Sequence, residues 1–330
     1  MENRYSRQLK VPGIGSEGQK RLEKSSVLII GCGGLGCPCA LSLSRAGIGR
    51  IGLVDADTIS FSNLHRQTLF VERDVDSFKV DVAKERLLEG NSACQIDSFN
   101  TRFTTSNYQE LLNPYDIIID ATDNFETRYL INDACVAMYK PLVYGAANQT
   151  EGQLAVFNLN ESGQLRDLFP EFPEVGTIQN CEEAGVLGPI TGIIGDLMAM
   201  EVIKIITSIG EPLTNQLVQF NGLDTSFHRI RYKKLEGHKE SVLNIKEPLS
   251  ISWDIFRKRY ERDYILVDVR TIEERETQNL GGKHIPLDEL GSHIKKTTSD
   301  KFVFYCKSGQ RARKACLLVE QLDIDAMYIQ

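Results

Sequence analysis

A glycine-rich turn near the N-terminus constrains the fold of this chain more than any other feature. It follows the apolar, β-rich run Ser26–Ile30 and precedes Cys37–Ala46, which has the length and composition of a helix. The turn contains four glycines: Gly31, Gly33, Gly34 and Gly36. Strand, glycine turn and helix predict the first unit of a parallel sheet. Glycines there let the backbone approach a phosphate at the helix N-terminus, which predicts a nucleotide site.

Further apolar runs continue this pattern along the chain. Three of them have the character of buried strands: Arg50–Val54, Asp116–Ile119 and Pro141–Tyr144. Strands spaced by helical segments predict a Rossmann-like α/β fold with a mainly parallel sheet. Gln153–Asn158 and Gln216–Phe220 are expected to extend this sheet, with antiparallel pairing as one option, and a helix over Ile190–Ser208 separates them.

The length and a polar stretch late in the chain predict two domains. A chain of 330 residues is long enough for two. Tyr232 to Pro248 is polar without apolar periodicity, as an interdomain linker would be. We therefore expect one domain over residues 1–243 and a small α/β domain over residues 244–330. The predicted elements of the second are the strands Tyr264–Val267 and Lys301–Tyr305 and a helix over Arg311–Leu322.

Composition excludes several classes of function. The net charge of −7 argues against binding to a nucleic-acid backbone. The most apolar long stretch, Pro189–Ile209, is interrupted by Asp196, Glu201 and Lys204, and the N-terminus is polar, so we expect neither a membrane span nor a secretion signal. Eight cysteines without such a signal are typical of reduced thiols in a cytoplasmic protein.

The residues after the glycine turn indicate phosphoryl or adenylyl chemistry. Asp55 follows the second strand, where an acid can hold a ribose hydroxyl. Arg66 and Lys79 can neutralise a triphosphate, whose oxygens Asn63 and Gln67 can hydrogen-bond. Asp123, beside Asn124 after a later strand, can hold Mg²⁺. An NAD-dependent oxidoreductase shares the glycine turn but does not need this set, and a turn used only for packing stays open as well.

These motifs resemble those of the MoeB/ThiF/HesA adenylyltransferases, whose fold is that of ubiquitin-activating enzymes. The resemblance covers roughly residues 3–230 and includes Arg4–Gln8, Asp55–Gln67 and Asn180–Pro189. It implies ATP-dependent adenylation of the C-terminal glycine of a ubiquitin-like sulfur-carrier protein ending in Gly-Gly. It also implies nucleotide-binding roles for Asp57 and Asn124.

The resemblance extends to two residues outside the nucleotide motifs. Arg7 is similar to an arginine that reaches the ATP of a neighbouring subunit, which implies a homodimer. Cys181 matches a cysteine that forms a covalent link to the carrier protein in relatives. Where relatives carry zinc-binding Cys-x-x-Cys pairs, this chain has Gln164 and Asp167, and then a lone His238. We therefore expect no zinc.

The C-terminal segment resembles a rhodanese-like domain. Leu266–Arg270 and His284–Leu290 precede Cys306-Lys-Ser-Gly-Gln-Arg311, a loop between a strand and a helix. The resemblance implies that Cys306 holds a persulfide, supplied by a donor such as a cysteine desulfurase. Arg311 and the helix N-terminus are expected to favour its thiolate. A silent docking module, and a non-catalytic adaptor for a ubiquitin-like protein, remain alternatives. The pathway served also stays open: molybdopterin synthesis, thiamine synthesis, tRNA thiolation or cysteine biosynthesis.

Overall fold

The computed structural model describes residues 4–170, 185–235, 248–294, 301–307, 309–320 and 324–329. The chain divides into two compact units, Met1–Ile245 and Lys246–Gln330. The boundary predicted after residue 243 lies two residues before this division, in a stretch outside the described residues. Each unit is described by itself.

A twisted sheet of eight strands forms the centre of the first unit among its described residues. The strands are β1 (Ser26–Ile30), β2 (Arg50–Val54), β3 (Gln95–Phe99), β4 (Ile117–Asp120), β5 (Leu142–Asn148), β6 (Glu151–Phe157), β7 (Gln216–Asn221) and β8 (Ser226–Arg231). Their spatial order is β3-β2-β1-β4-β5-β6-β7-β8. Neighbours from β3 to β5 pair in parallel, and β6, β7 and β8 pair antiparallel.

Helices cover both faces of this sheet. They are α1 (Gly15–Lys24), α2 (Gly36–Ala46), α3 (Lys79–Gly90), α4 (Tyr108–Leu112), α5 (Phe125–Ala137), α6 (Leu165–Leu168) and α7 (Gly188–Thr207). Successive residues of β1 alternate between the two cores: Val27 and Ile29 pack in one, and Leu28 and Ile30 pack in the other. Because both faces are buried, the central strands are apolar along their whole length.

The second unit is built on a smaller, entirely parallel sheet. Its described strands are β9 (Leu249–Ile251), β10 (Ile265–Asp268), β11 (Lys283–His284), β12 (Phe302–Tyr305) and β13 (Ala326–Ile329), in the order β11-β10-β12-β13-β9. The helices are α8 (Trp253–Ile255, continued by a π-helical turn over Phe256–Tyr260), α9 (Ile272–Thr277), α10 (Leu290–His293) and α11 (Gln310–Glu320).

The structure confirms the predicted α/β class and the mainly parallel sheet, and β6 and β7 take the antiparallel option. Two edge strands, β3 and β8, were not predicted. Five of the six residues of β8 are exposed, and β3 is only partly buried. An edge strand does not need two apolar faces, so its sequence does not look like a buried strand.

None of the helices described here has the length and apolar character that crossing a membrane requires.

Candidate functional site

The glycine turn lies at the carboxyl edge of the first sheet, between β1 and α2. Gly31 has a φ of +98° and donates its N–H to the carbonyl of Val54 at 2.8 Å. A Cβ at Gly31 would lie 2.6 Å from the carbonyl oxygen of Ala121, and one at Gly36 would overlap the Gly31 carbonyl. Packing therefore requires glycine at both positions.

The two central glycines of the turn have different surroundings. A Cβ at Gly34 would crowd the Thr191 side chain of α7 at 3.0 Å, whereas one at Gly33 would find only the amide nitrogen of Gln67, at 3.8 Å. Gly33 is thus the point of the turn where another molecule can approach the backbone. The cysteines around it, Cys32 and Cys37, are buried, and burial raises the pKa of the Cys37 thiol to about 12.

Asp55 joins the end of β2 to the glycine turn. Its carboxylate accepts the N–H of Cys32 at 2.8 Å and that of Asp57 at 2.9 Å. Burial raises the pKa of Asp55, and the charge of Lys79 together with these two N–H groups opposes the rise. Each carboxylate oxygen has a second lone pair, so Asp55 can still accept a hydrogen bond from a hydroxyl of a bound ribose.

Lys79 is a buried cation among carboxylates. It opens α3, is only 7% exposed, and places its Nζ 3.1 Å from Oδ2 of Asp57. Burial opposes its charge, but the nearby carboxylates of Asp55, Asp57 and Asp123 raise its pKa above the ordinary value. The fold therefore brings together an ammonium and three acids from separate segments, and keeps the ammonium protonated at neutral pH.

The segment between Asp57 and α3 positions three predicted phosphate ligands. Asn63 accepts the N–H of Ser60 at 3.1 Å, which fixes the turn Phe61–Asn63. Arg66 donates to the carbonyl of Ser62 at 3.2 Å and lies 2.7 Å from Nε2 of His65. It makes no ion pair with a carboxylate in the described part of the chain.

Gln67 is the least satisfied polar residue of this site. It is 3% exposed, and its Oε1 has no hydrogen-bond partner in the structure. A buried acceptor without a donor costs about 1–3 kcal/mol, so such an atom often marks the place of a missing ligand or water. Its amide group lies beside Gly33, the open point of the turn.

The turn after β4 separates two acids with different surroundings. Asp120 is fully buried and bound by Thr122 and by Arg128, whose Nε lies 3.3 Å away. Asp123 is exposed and free to bind a ligand, and Asn124 caps α5 by accepting the N–H of Thr127 at 2.9 Å. The sequence reasoning missed Arg128, which also donates to the Thr122 carbonyl at 2.8 Å and so shapes this turn. An arginine eight residues after a strand-end acid was the available signal.

Other predicted residues lie apart from this cluster or outside the described residues. Arg7 is exposed in the turn that precedes α1, and Cys181 lies outside the described residues. Asp167 caps α6 by accepting the N–H of Gln164 at 2.7 Å and also accepts the N–H of Leu235 at 2.7 Å. Among the residues that the structure describes, no three His, Cys, Asp or Glu side chains gather as metal ligands would.

The second unit has a strand–loop–helix site of its own. Cys306 directly follows β12 and is half-buried, and Gly309, with a φ of +77°, turns the chain into α11. Arg311, in the first turn of that helix, donates two hydrogen bonds of 2.7 Å to the carboxylate of Glu274. This partner was not predicted. The charge of Arg311 is shared between Glu274 and the Cys306 loop, whereas the sequence led us to expect that it acts on Cys306 alone.

A buried polar network holds the strand beside this loop. Asp268, at the end of β10, accepts hydrogen bonds from Arg270 at 2.8 and 2.9 Å and from the Tyr305 hydroxyl at 2.8 Å. Burial opposes ionisation of Asp268, but the hydrogen bonds from Arg270 keep its pKa below the ordinary value. His284 contacts the Arg270 carbonyl at 2.8 Å. The two motifs ahead of Cys306 thus form one rigid support.

Comparison with known proteins places most of the chain in one group. The model of the ThiF family matches residues 5–241. "Adenylyltransferase and sulfurtransferase MOCS3" of Anopheles gambiae is 40% identical over 322 residues, which cover 88% of this chain and 73% of that protein. "Sulfur carrier protein adenylyltransferase" of Thermus thermophilus is 44% identical over 237 residues, 70% of this chain and 88% of that protein.

Solved structures agree on the fold. A crystal structure of E. coli MccB with MccA-N7isoASN superposes with a TM-score of 0.64 at 24% identity, over 71% of this chain and 72% of that one. A structure of PaaA superposes with a TM-score of 0.59 at 26% identity, over 70% of this chain and 73% of that one. With its glycine turn, strand-end acids and buried lysine in one cluster, the chain belongs to the ThiF family.

Proposed function

We propose that this protein adenylates the C-terminal glycine of a ubiquitin-like sulfur-carrier protein and then transfers sulfur to it. The observation that carries the proposal is the cluster at the carboxyl edge of β1, β2 and β4. There Gly33 is open, Gln67 has an orphaned acceptor, and Lys79 is a buried cation. The relatives named as a sulfur carrier protein adenylyltransferase and as an adenylyltransferase and sulfurtransferase support the same activity.

In the first step ATP is the substrate and the carrier's carboxylate is the nucleophile. A carboxylate oxygen attacks the α-phosphorus, the bond to the β-phosphate oxygen breaks, and pyrophosphate leaves with the electron pair. Nucleophile and target are both negative, so the site must supply positive charge and alignment. Arg66 and Lys79 supply the charge, Asn63 and Gln67 hydrogen-bond phosphate oxygens, and Asp55 holds the ribose.

Asp57, which the resemblance places near the nucleotide, is given a role through Lys79. It is bonded to Lys79, and its side chain is 60% exposed, so it holds the ammonium until a phosphate takes its place. A single ion pair whose carboxylate lies mostly in water contributes little, whereas a triphosphate carries several charges. We infer that Lys79 is transferred from Asp57 to the nucleotide on binding.

The residues of this site fit a Mg²⁺ ion that the protein and the nucleotide would coordinate together. Asp123 is exposed and offers a hard carboxylate oxygen, and Mg²⁺ commonly takes one or two carboxylates with substrate phosphates and water. When bound, the ion would neutralise phosphate charge. The chain's own part is to hold Asp123 at the strand end through the turn that Asp120 and Arg128 shape.

In the second step Cys306 supplies sulfur as a persulfide. Its terminal sulfur attacks the acyl carbon of the adenylate, AMP leaves, and an acyl disulfide to Cys306 forms. A second thiolate, of Cys181 or of an external thiol, then attacks the Cys306 sulfur. The thiocarboxylate leaves and a disulfide remains, which an external thiol reduces. In this proposal the second unit acts as a rhodanese-like sulfurtransferase.

These steps need two partners, a carrier ending in Gly-Gly and a persulfide donor such as a cysteine desulfurase. The resemblance of Arg7 to an arginine that reaches a neighbouring subunit's nucleotide adds a second copy of the chain. Arg7 is exposed, which such a contact requires. No disulfide joins cysteines among the described residues, which suits the reducing cytoplasm that we expect for this protein.

Carrier-dependent exchange of labelled pyrophosphate into ATP tests the first step. ThiS-like and MoaD-like carriers ending in Gly-Gly are compared, with Asp123→Ala as the test variant and Glu110→Ala, an exposed carboxylate on α4, as the control. Exchange with one carrier, lost in Asp123→Ala and retained in Glu110→Ala, supports the proposal and identifies the pathway. Absence of exchange with every carrier would favour an adaptor.

A further inference from the structure

Glu274 and Arg311 form a charged contact beside Cys306. Each of the two terminal guanidinium nitrogens of Arg311 lies 2.7 Å from a different carboxylate oxygen of Glu274. This bidentate geometry matches a planar guanidinium to a planar carboxylate and is the strongest form of such a pair. Both side chains are 33% exposed, so the pair is stabilised by its geometry more than by burial.

The helix cap on α9 fixes Glu274 in place. Glu274 accepts the N–H of Thr271 at 3.0 Å, and its own N–H donates to the Thr271 hydroxyl at 3.4 Å, a capping box. Thr271 follows Arg270, which is anchored on buried Asp268. The carboxylate is therefore presented to Arg311 from a capped helix start.

The charges of this pair cancel near the thiol. The hydrogen bonds from Arg311 lower the pKa of Glu274 to about 2, so the carboxylate is ionised at neutral pH. Arg311 also interacts with Cys306, and its pKa is raised first by the hydrogen bonds to Glu274 and then, with burial opposing, by the Glu274 and Cys306 charges. The positive charge that faces the thiol thus already has a partner.

We propose that Glu274 determines the sulfur donor by cancelling the charge of Arg311, so that the Cys306 loop does not attract free dianions. The donor class that suits such a loop is a persulfide on a thiol carrier, brought to Cys306 by contact. The Cys306 thiolate attacks the outer sulfur of the donor persulfide, the sulfur–sulfur bond of the donor breaks, and the donor thiolate leaves. Thiosulfate, whose leaving group is sulfite, is the disfavoured dianion. This inference rests on the proposed sulfur transfer.

The test measures charge at Cys306 without requiring sulfur transfer. Iodoacetate and iodoacetamide alkylate the same thiolate, one as an anion and one as a neutral molecule. The ratio of their rates at Cys306, followed by mass spectrometry of its peptide, therefore reports the local charge. Glu274→Gln keeps the shape and one acceptor for Arg311, and we expect it to raise the ratio about threefold to tenfold at low salt. In the same variant, Glu274→Gln, we expect kcat/KM with thiosulfate to rise relative to kcat/KM with a persulfide donor.

Two further variants assign the effect to Arg311. The double variant Glu274→Gln with Arg311→Gln should lose the gain, because the uncancelled charge is then absent. Glu276→Gln removes the same charge from an exposed position on the same helix and should leave the ratio unchanged. An unchanged ratio in Glu274→Gln, or a gain that persists in the double variant, would overturn the proposal.

The wild-type protein provides a second measurement that needs no variant to fold. If the charges cancel, the iodoacetate to iodoacetamide ratio at Cys306 changes little between low and high salt, since there is little net charge to screen. A steep fall of the ratio with salt would contradict the proposal. Failure of the wild type to form thiocarboxylate, with the ratio behaving as expected, would reject the proposed function alone.

Discussion

The two strand–loop–helix sites of this protein handle a cation in opposite ways. In the first unit Lys79 is buried and its partner Asp57 is mostly exposed, so an incoming phosphate can replace the partner. In the second unit Arg311 is partly exposed and its partner Glu274 is fixed by a helix cap. We infer from this difference that a cation beside a loop acts on a ligand only as far as its own partner can be displaced.

The largest expected effect, and the one that best separates the two sites, comes from removing the Cys306 thiol. Cys306→Ser should abolish thiocarboxylate formation, because no persulfide can form, and should leave carrier-dependent pyrophosphate exchange intact. Mass spectrometry of the intact carrier protein detects the thiocarboxylate by its change in mass. Loss of exchange in this variant would mean that the two units do not divide the reaction as proposed.

The next largest effect is expected at the buried lysine. Lys79→Ala should lower pyrophosphate exchange about 10²–10³-fold, the size found when one preorganised group that stabilises developing charge is removed. Steady-state exchange at saturating carrier measures it. Alkylation of Cys306 in the same variant should stay at the wild-type rate, and Lys20→Ala, an exposed lysine of α1, serves as the matched control.

The variant Gly31→Ala should be less stable than the wild type. Its Cβ would lie against the Ala121 carbonyl, and the residue has a φ of +98°. We expect a destabilisation of about 1–3 kcal/mol, measured by chemical unfolding. Gly192→Ala, in α7 with nothing within 4 Å of its Cβ, should be neutral or stabilising by up to about 1 kcal/mol. Equal destabilisation by both variants would contradict the assigned geometry.

The smallest expected effect is on the pH dependence of stability through Glu274. Its pKa is lowered from 4.5 to about 2, so its pair with Arg311 contributes fully above pH 4.5 and is lost as the pH falls from 4.5 towards 2. Glu274→Gln should flatten the acid side of the stability profile in this window. A variant profile that follows the wild type down to pH 2 would show that the pair contributes nothing to stability.

Much of the first site could be predicted from the chain. Apolar strands precede the candidate residues in the sequence, and parallel strands bring their carboxyl ends to one edge of a sheet. The residues located in this way are Asp55, Asn63, Arg66, Gln67, Lys79 and Asp123. The pairing of Lys79 with Asp57 could not be predicted, because it joins a strand end to a helix start through side-chain positions. The edge strands β3 and β8 were missed because their polar residues face solvent.

The sequence by itself determined the central strands, the mainly parallel sheet and the position of both loops, because backbone preferences and apolar periodicity are local properties of the chain. Only the tertiary structure decided which charges meet. Glu274 and Arg311 are 37 residues apart, and Lys79 and Asp57 are 22 residues apart. Electrostatic partners depend on distances of a few ångströms across the fold, so the fold must exist before they are known.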